Sequence, residues 1–303
     1  MSIHSDPEIA CILQLAFGRI VPTSTIPLGA HERGAAFKLH DPDLPPQVLL
    51  LHYPPHQQAR AFRAFTVMRA LHRHGFPVPA VYYLGWGFAT GDVLLLTDYV
   101  EGRGDEGQVH AFFARVGISF AETLAQLHDL PWDDLPDLAV LPLRYSLTEL
   151  GVEIRRLGTP ELLYTLDWIM AHLNAVIEEP YTVLHGEYTL ANVLAVRTQI
   201  VAVQNWENAV LGDRRMDVGY ASAALGTYGL AISNQFVDAY EAVAGHVEGR
   251  TFWEVYGALR LLTRLTAHLA KVSPEEMTAT QDQVWPIWRG LLDFIEARAG
   301  LEL

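Results

Sequence analysis

The sequence predicts an α+β fold in two lobes: a small β-rich lobe over 1–100, built as a five-stranded sheet with one helix, and a larger, mainly helical lobe over 101–303. Three observations carry this. The first hundred residues are short β-rich runs punctuated by Gly, Pro and Asp. After about residue 108, apolar residues recur at the helical period. Between these regimes lies "EGRGDEGQ", Gly-rich and charged, with the composition of a hinge between lobes.

The elements follow in order. "GRIVPTSTIPLG", "GAAFKLHD" and "QVLLLHYP" read as three strands. "HQQARAFRAFTVMRALHRHG" places Ala64, Met68 and Leu71 on one helical face and ends at Gly75 and Pro77. "PAVYYLGWG" and "GDVLLLTDYV" read as two further strands, the second apolar enough at its centre to be buried on both faces. Beyond the hinge, Phe113, Phe120, Leu124 and Leu127 mark a helix. "LPWDDLPDLAVLPL" is a Pro- and Asp-rich loop, and a helix follows with Thr159 at the N-cap and Pro160 at its first position. Residues 181–206 form short strands. Residues 215–298 are helical patterns broken at Gly245, Gly249 and Ser273-Pro274.

Composition narrows the function classes. Of 303 residues, 50% are hydrophobic and 18% charged, which gives a folded core and not a disordered chain. A net charge of −14 argues against nucleic acid or an anionic membrane as partner. Cys11 is the single cysteine, so neither an intrachain disulfide nor a thiolate metal cluster can form, as suits a reducing compartment. The first twenty residues lack a basic segment ahead of an apolar core and read as a short amphipathic helix, not a signal peptide. No apolar run approaches the roughly 18–20 residues that span a bilayer. The expectation is a soluble cytoplasmic protein.

The chemistry gathers in "YTVLHGEYTLANVLAV", residues 181–196. An apolar strand runs into His185-Gly186, followed by a carboxylate at Glu187, an amide at Asn192 and a second apolar run. Downstream, "VAVQNWENAVLGDRRMDVGYASAAL" supplies Asn205-Trp206-Glu207, Gly212-Asp213 and Asp217. Across roughly residues 20–230 this layout resembles the aminoglycoside phosphotransferases and the choline and homoserine kinases, small-molecule relatives of protein kinases. Their catalytic segment has the form H-G-D-x-x-x-x-N, followed by an apolar hairpin, D-W-E, and a later Asp that opens a helix.

The resemblance implies an ATP- and Mg²⁺-dependent transferase, and each of its parts can be sought here. Glu187 stands at the base position (loop 185–192), Asn192 at the metal amide, and Asn205 at the main metal carboxylate (loop 204–217), with Glu207 as a weaker metal candidate. The third-strand lysine falls at Leu50 and the helix glutamate at Ala64. The candidate phosphate loop "PLGAHERGAAF" carries Gly29 and Gly34 between the first two strands, and Thr97 and Tyr99 lie in the hinge strand as candidate nucleotide contacts. Lys38, one of two lysines in the chain, is either a solvated strand residue or a relocated phosphate-binding cation.

These departures weaken phosphoryl transfer. Mg²⁺ prefers anionic oxygens in a tight octahedron, and Asn205 offers a neutral carbonyl. Glu187 carries its carboxylate on the order of 1 Å further out, and misplacement on that scale costs roughly 10²-fold. Loss of an electrostatic contact costs about 10²–10³. Three readings result. The first is a catalytically impaired, pseudokinase-like protein that binds a nucleotide or small molecule in its interlobe cleft. The second is an active small-molecule phosphotransferase using Glu187 as base. The third is an interaction module whose cleft is filled by side chains such as Leu50 and Phe65.

Other signals carry less. "GWGFATG" lies between two strands and reads as a hairpin turn, not a phosphate loop. His52 and His56 flank two prolines, and His72 and His74 sit two apart on a helix, so neither pair has metal-ligand geometry. His185 reads as scaffold, Asp217 as a tie between loops, and Trp253, Trp285 and Trp288 as core. The acids of "DDLPD" (133–137) read as exposed loop residues.

Overall fold

Glycine and proline punctuate the first hundred residues, and the chain reverses at them into a twisted sheet. The computed structural model describes residues 7–18, 24–31, 34–40, 48–87, 91–105, 107–132, 138–273 and 277–303. Helix α1 (Pro7–Phe17) is followed by β1 (Ser24–His31), β2 (Gly34–His40), β3 (Val48–Tyr53), α2 (Gln58–Arg73), β4 (Val81–Trp86) and β5 (Val93–Asp98). The five strands pair antiparallel in the order β1-β2-β3-β5-β4.

Register decides what this sheet offers to each side, because successive residues of a strand point to opposite faces. Lys38, Leu49 and Thr97 form one row across β2, β3 and β5, and Phe37, Leu50 and Leu96 form the next. Leu39, Leu50, Leu94 and Leu96 pack on Ile12 and Leu13 of α1. The N-terminal helix, read from sequence as a short amphipathic one, thus closes the outer face, so that the small lobe holds it beside the sheet and α2. The inner face meets α2: Tyr53 and Leu95 share a core with Ala64, Val67 and Met68.

The larger lobe runs α3 (Val109–Asp129), α4 (Leu143–Leu157), α5 (Pro160–His172), β6 (Thr182–Leu184), β7 (Val193–Val196), β8 (Gln199–Val203), β9 (Val210–Gly212), α6 (Arg215–Gly226), α7 (Leu230–Ala244), α8 (Arg250–Leu269) and α9 (Met277–Ala299). Strands β6 and β9 pair, as do β7 and β8, so a small β insertion stands between α5 and α6. Thr159 occupies the N-cap of α5 but its side chain makes no capping bond; Pro160 simply removes one amide that would otherwise lack a partner. The sequence pattern runs α6 into α7, whereas the chain breaks at Gly229, whose φ of +126° no β-carbon-bearing residue adopts readily.

Several contacts hold the two lobes and the hinge together behind the cleft. The Phe76 ring meets Trp206 edge-on at 5.8 Å. The amide of Val203 donates to the Pro77 carbonyl at 2.7 Å, and Arg103 exchanges backbone hydrogen bonds with Ala195 at 3.0 and 2.9 Å. One apolar core then runs from α2 through Phe120, Tyr188 and Trp206 to Phe236 of α7. A second unites α4, α5, α8 and α9. Trp253 and Trp288 are buried as expected from their spacing. Trp285 is not: it is 55% exposed and stacks flat on Trp288 at 4.9 Å. Among the described residues, no helix is long and apolar enough to cross a membrane, and no three His, Cys, Asp or Glu side chains gather as a metal site. The acidic stretch 133–137, residues 32–33 of the glycine loop and residues 88–90 of the β4–β5 turn lie outside the described residues.

Candidate functional site: the interlobe cleft

The loop after β6 is shaped by one buried carboxylate. Asp217, in the first turn of α6 and fully buried, accepts the amide of His185 at 2.6 Å and that of Gly186 at 2.9 Å. Burial by itself would push its carboxyl up, but the His128 ring, with Nε2 3.7 Å away, and the donated His185 amide hold it below the ordinary carboxylate value. Gly186 has φ +82°, and a β-carbon there would lie 2.5 Å from the Asn208 carbonyl oxygen. Only glycine passes.

His185 is fully buried and serves as scaffold. Its Nε2–H donates to the Gln204 carbonyl at 2.8 Å, and its Nδ1 accepts the Glu187 amide at 3.2 Å. Burial lowers its pKa, so the imidazole is neutral in the fold. The sign of the pH dependence follows for both groups. Between the folded His185 value and about 6.5, the unfolded chain binds a proton that the folded chain does not, so stability is lost as pH falls below 6.5. The Asp217 contribution is present above about 3.9 and lost as pH falls through its lower folded value. Thermal melts are expected to fall from pH 7.5 to pH 5.5 and again below pH 4. Melts that stay flat across the first interval would contradict the His185 assignment.

Glu187 does not stand open. Its Oε1 pairs with Arg264 Nη1 of α8 and accepts from Asn208 Nδ2. Its carbonyl accepts from Asn192 Nδ2 at 2.7 Å. That last bond fixes the neighbouring amides: with Nδ2 of Asn192 committed, its Oδ1 faces Asn205 and accepts Asn205 Nδ2 at 2.6 Å. Asn205 sits in the left-handed region at φ +69°, which Asn tolerates better than most residues. Glu207 is buried, and its Oε1 accepts the Tyr53 hydroxyl at 2.9 Å. These residues do not fit a tightly held magnesium ion: the two amides are neutral and bond to each other, and the adjacent carboxylate accepts from a phenol.

The cleft between the lobes has a volume of about 520 Å³, within the range of small-molecule sites. Its roof is apolar (Leu28, Ala36, Leu49, Leu51), its back carries Tyr53, Ala64, Met68 and Thr97, and its floor carries Asn192, Asn205, Glu207 and Arg264. Leu50 is not among these residues. It points to the outer face under α1, so the third-strand position assigned to it from sequence is one residue out of phase. The cleft-facing residues of β3 are Leu49, Leu51 and Tyr53, and only Tyr53 brings a polar atom to the Asn205–Glu207 turn. With Leu50 gone from the cleft, and Phe65 of α2 packed against the core and absent from the cleft lining, the space stays open.

Lys38 lies on the cleft-facing row, paired with Leu49, but its ammonium sits 3.9 Å from the centre of the Tyr99 ring at the hinge. From Leu49 to Tyr53 is four residues of strand, about 13 Å, further than a lysine side chain reaches. Lys38 and Tyr99 therefore belong to the hinge end of the cleft, as does Thr97, whose hydroxyl donates to the Asp98 carbonyl at 3.1 Å. Gly29 and Gly34 lie in paired strand, Gly29 opposite Ala36 and Gly34 opposite His31, with a register shift at Pro27/Gly29. That shift coincides with Leu28 lining the cleft.

Sequence reasoning missed the arginines. Arg60 donates to Asn208 Oδ1 at 3.5 Å and Arg63 to the Glu207 carbonyl at 3.2 Å, docking α2 onto the 206–208 turn. Arg260, its guanidinium 5.1 Å from the Tyr220 ring centre, donates to the Gly186 carbonyl at 3.0 Å. The signal was available in "YGALRLLTRLTAHL": Arg260 and Arg264, four apart, share one face of an otherwise apolar helix.

The family model described as "Phosphotransferase enzyme family" matches residues 25–257. An aminoglycoside 3'-phosphotransferase of Streptomyces fradiae is 29% identical over 201 residues, 61% of this chain and 74% of that protein. Acyl-CoA dehydrogenase family member 11 of Rattus norvegicus is 28% identical over 181 residues, 53% of this chain but 22% of that longer protein. Among solved structures, aminoglycoside phosphotransferase APH(4)-Ia in ternary complex with AMP-PNP and hygromycin B superposes with a TM-score of 0.69 at 14% identity, covering 97% of this chain and 98% of that one. APH(3'')-Id of Streptomyces rimosus gives 0.63 at 18% identity, covering 86% and 99%.

Proposed function

We propose, from the premise that the chain belongs to the phosphotransferase enzyme family, that its interlobe cleft binds a nucleotide or similar phosphate-bearing small molecule without a tightly held magnesium ion, and that phosphoryl transfer is strongly impaired. The carrying observation is the Asn192–Asn205 hydrogen bond at 2.6 Å. Two neutral amides satisfy each other where the family chemistry needs a cation held by a carboxylate. The adenine-type ligand named for the APH(4)-Ia complex suits the apolar roof of Leu28, Ala36, Leu49 and Leu51 in size and character. The open volume of about 520 Å³ counts against the reading of an occluded interaction module.

A second reading keeps one observation on its side: Glu187 retains a carboxylate on the loop after β6, next to Asn192. On this reading the chain is a slow small-molecule phosphotransferase, with alcohols or aminoglycosides as acceptors. Calorimetric titration with ADP and a non-hydrolysable ATP analogue, with and without Mg²⁺, separates the readings, together with an assay for product from ATP and a panel of acceptors. The expected result is nucleotide binding of the same strength with or without metal, and no product. Mg²⁺-dependent binding with product lost in Glu187→Gln would establish the second reading. No nucleotide binding would refute both.

A further inference from the structure

We infer that Arg264 is the anion-binding cation of the interlobe cleft and that Glu187 competes with the ligand's phosphate for it. The inference rests on the nucleotide reading above and goes beyond it by naming the residue that takes the phosphate and the group that holds that residue in reserve.

Among the described residues that line the cleft, Arg264 is the one cation. The other basic groups nearby are committed elsewhere. Lys38 lies over Tyr99 at the hinge end. Arg60 and Arg63 bind the 206–208 turn. Arg260 is bound to the Gly186 carbonyl beneath the loop. Arg264 instead enters from α8, at the floor, beside Asn192, Asn205 and Glu207, and its side chain is 42% exposed. An entering ligand therefore meets it.

Its ion-pair partner decides how it is used, with the Tyr220 hydroxyl as a second neighbour. Arg264 Nη1 pairs with Glu187 Oε1, while the Glu187 side chain is only 12% exposed. The same carboxylate oxygen accepts from Asn208 Nδ2, so Glu187 keeps a polar partner when the arginine turns away. A guanidinium binds phosphate through parallel N–H donors, whereas Glu187 Oε1 meets the single nitrogen Nη1. A phosphate can thus displace the carboxylate. The cation of this cleft comes from the helical lobe, with no lysine needed on β3, where Tyr53 faces Glu207.

The roles of Arg264 and Glu187 are opposite, and that gives the test. Tripolyphosphate and ADP, both free of metal with a chelator present, are titrated into the full chain and its Arg264→Gln and Glu187→Gln variants. The wild type is expected to bind both. Arg264→Gln is expected to weaken both by roughly tenfold or more. Glu187→Gln, which removes the competitor, is expected to tighten both by roughly three- to tenfold. Melting curves establish that each variant folds, and if Arg264→Gln does not, the direction of the Glu187→Gln change decides. ADP binding that is equal in the wild type and Arg264→Gln would overturn the Arg264 assignment and leave the nucleotide reading standing. Weaker binding in Glu187→Gln would overturn the competition. Failure of either anion to bind the wild type overturns the assignment, and failure of ADP removes the nucleotide reading with it.

Discussion

Gly219→Ala is expected to destabilise the protein by about 3 kcal/mol, the upper part of the overpacking range. Helices α6 and α8 cross at Gly219 and Gly257 with their backbones in contact. A β-carbon on Gly219 would lie 2.0 Å from the Trp253 carbonyl oxygen, and one on Gly257 would lie 2.4 Å from the backbone carbon of Gly219. Neither neighbour is a flexible side chain that could swing aside, so the helices must separate. The better helix propensity of alanine returns only about 1 kcal/mol. At roughly 2–4 °C per kcal/mol for a large domain, the melting temperature is expected to fall by about 6–12 °C. The site should register the same change, since α6 carries Asp217 and α8 carries Arg260 and Arg264. Metal-free ADP affinity is expected to drop with the melting temperature. A variant that melts within about 1 °C of the wild type would show that this crossing has slack its geometry does not suggest.

Asn205→Asp is expected to make the protein depend on magnesium. Asp tolerates the left-handed backbone of this position about as well as Asn. The difference lies in the side chain: the new carboxylate cannot donate to Asn192 Oδ1, whose orientation is fixed by the bond from Asn192 Nδ2 to the Glu187 carbonyl. Two oxygens would face each other beside buried Glu207, at a cost of about 1–3 kcal/mol. A divalent cation resolves that conflict, because it needs the oxygens that then repel. Without metal the variant should melt below the wild type; millimolar Mg²⁺ should restore it and tighten ADP binding by roughly tenfold. The wild type should show neither response. A wild-type melt that itself rises with Mg²⁺ would contradict the Asn192–Asn205 argument and favour the active-transferase reading.

Much of the site was legible because local sequence fixes local geometry. His185-Gly186-Glu187 and Asn192 lie within eight residues, so one loop closed by the 3-10 turn Leu190–Asn192 places them together wherever the loop packs. Asn205 and Asp217 follow across a hairpin and one helix start, again short-range connections. The fold class was legible for a related reason: the shift from β-rich runs to helical periodicity reports which face of each element is buried, and α2, α3 and the β6–β9 insertion follow from it. Leu50 was misplaced because strand periodicity is exactly two, and a reading one residue out of phase moves a side chain to the opposite face. The exposed Trp285 and the break at Gly229 show the same limit, since periodicity identifies a helix without stating what lies against each part of it.

The sequence by itself determined the two-lobed architecture, the loop that carries Glu187 and Asn192, and the neutral residues at Asn205 and along β3. Tertiary structure decided which side chains met across the cleft. Tyr53 and Glu207 are 154 residues apart, and Arg264 and Glu187 are separated by β7–β9, α6 and α7. No local propensity encodes such pairs. They exist because two backbones cross at Gly219 and Gly257, and because the register of five strands turns one row of side chains inward and the next one out.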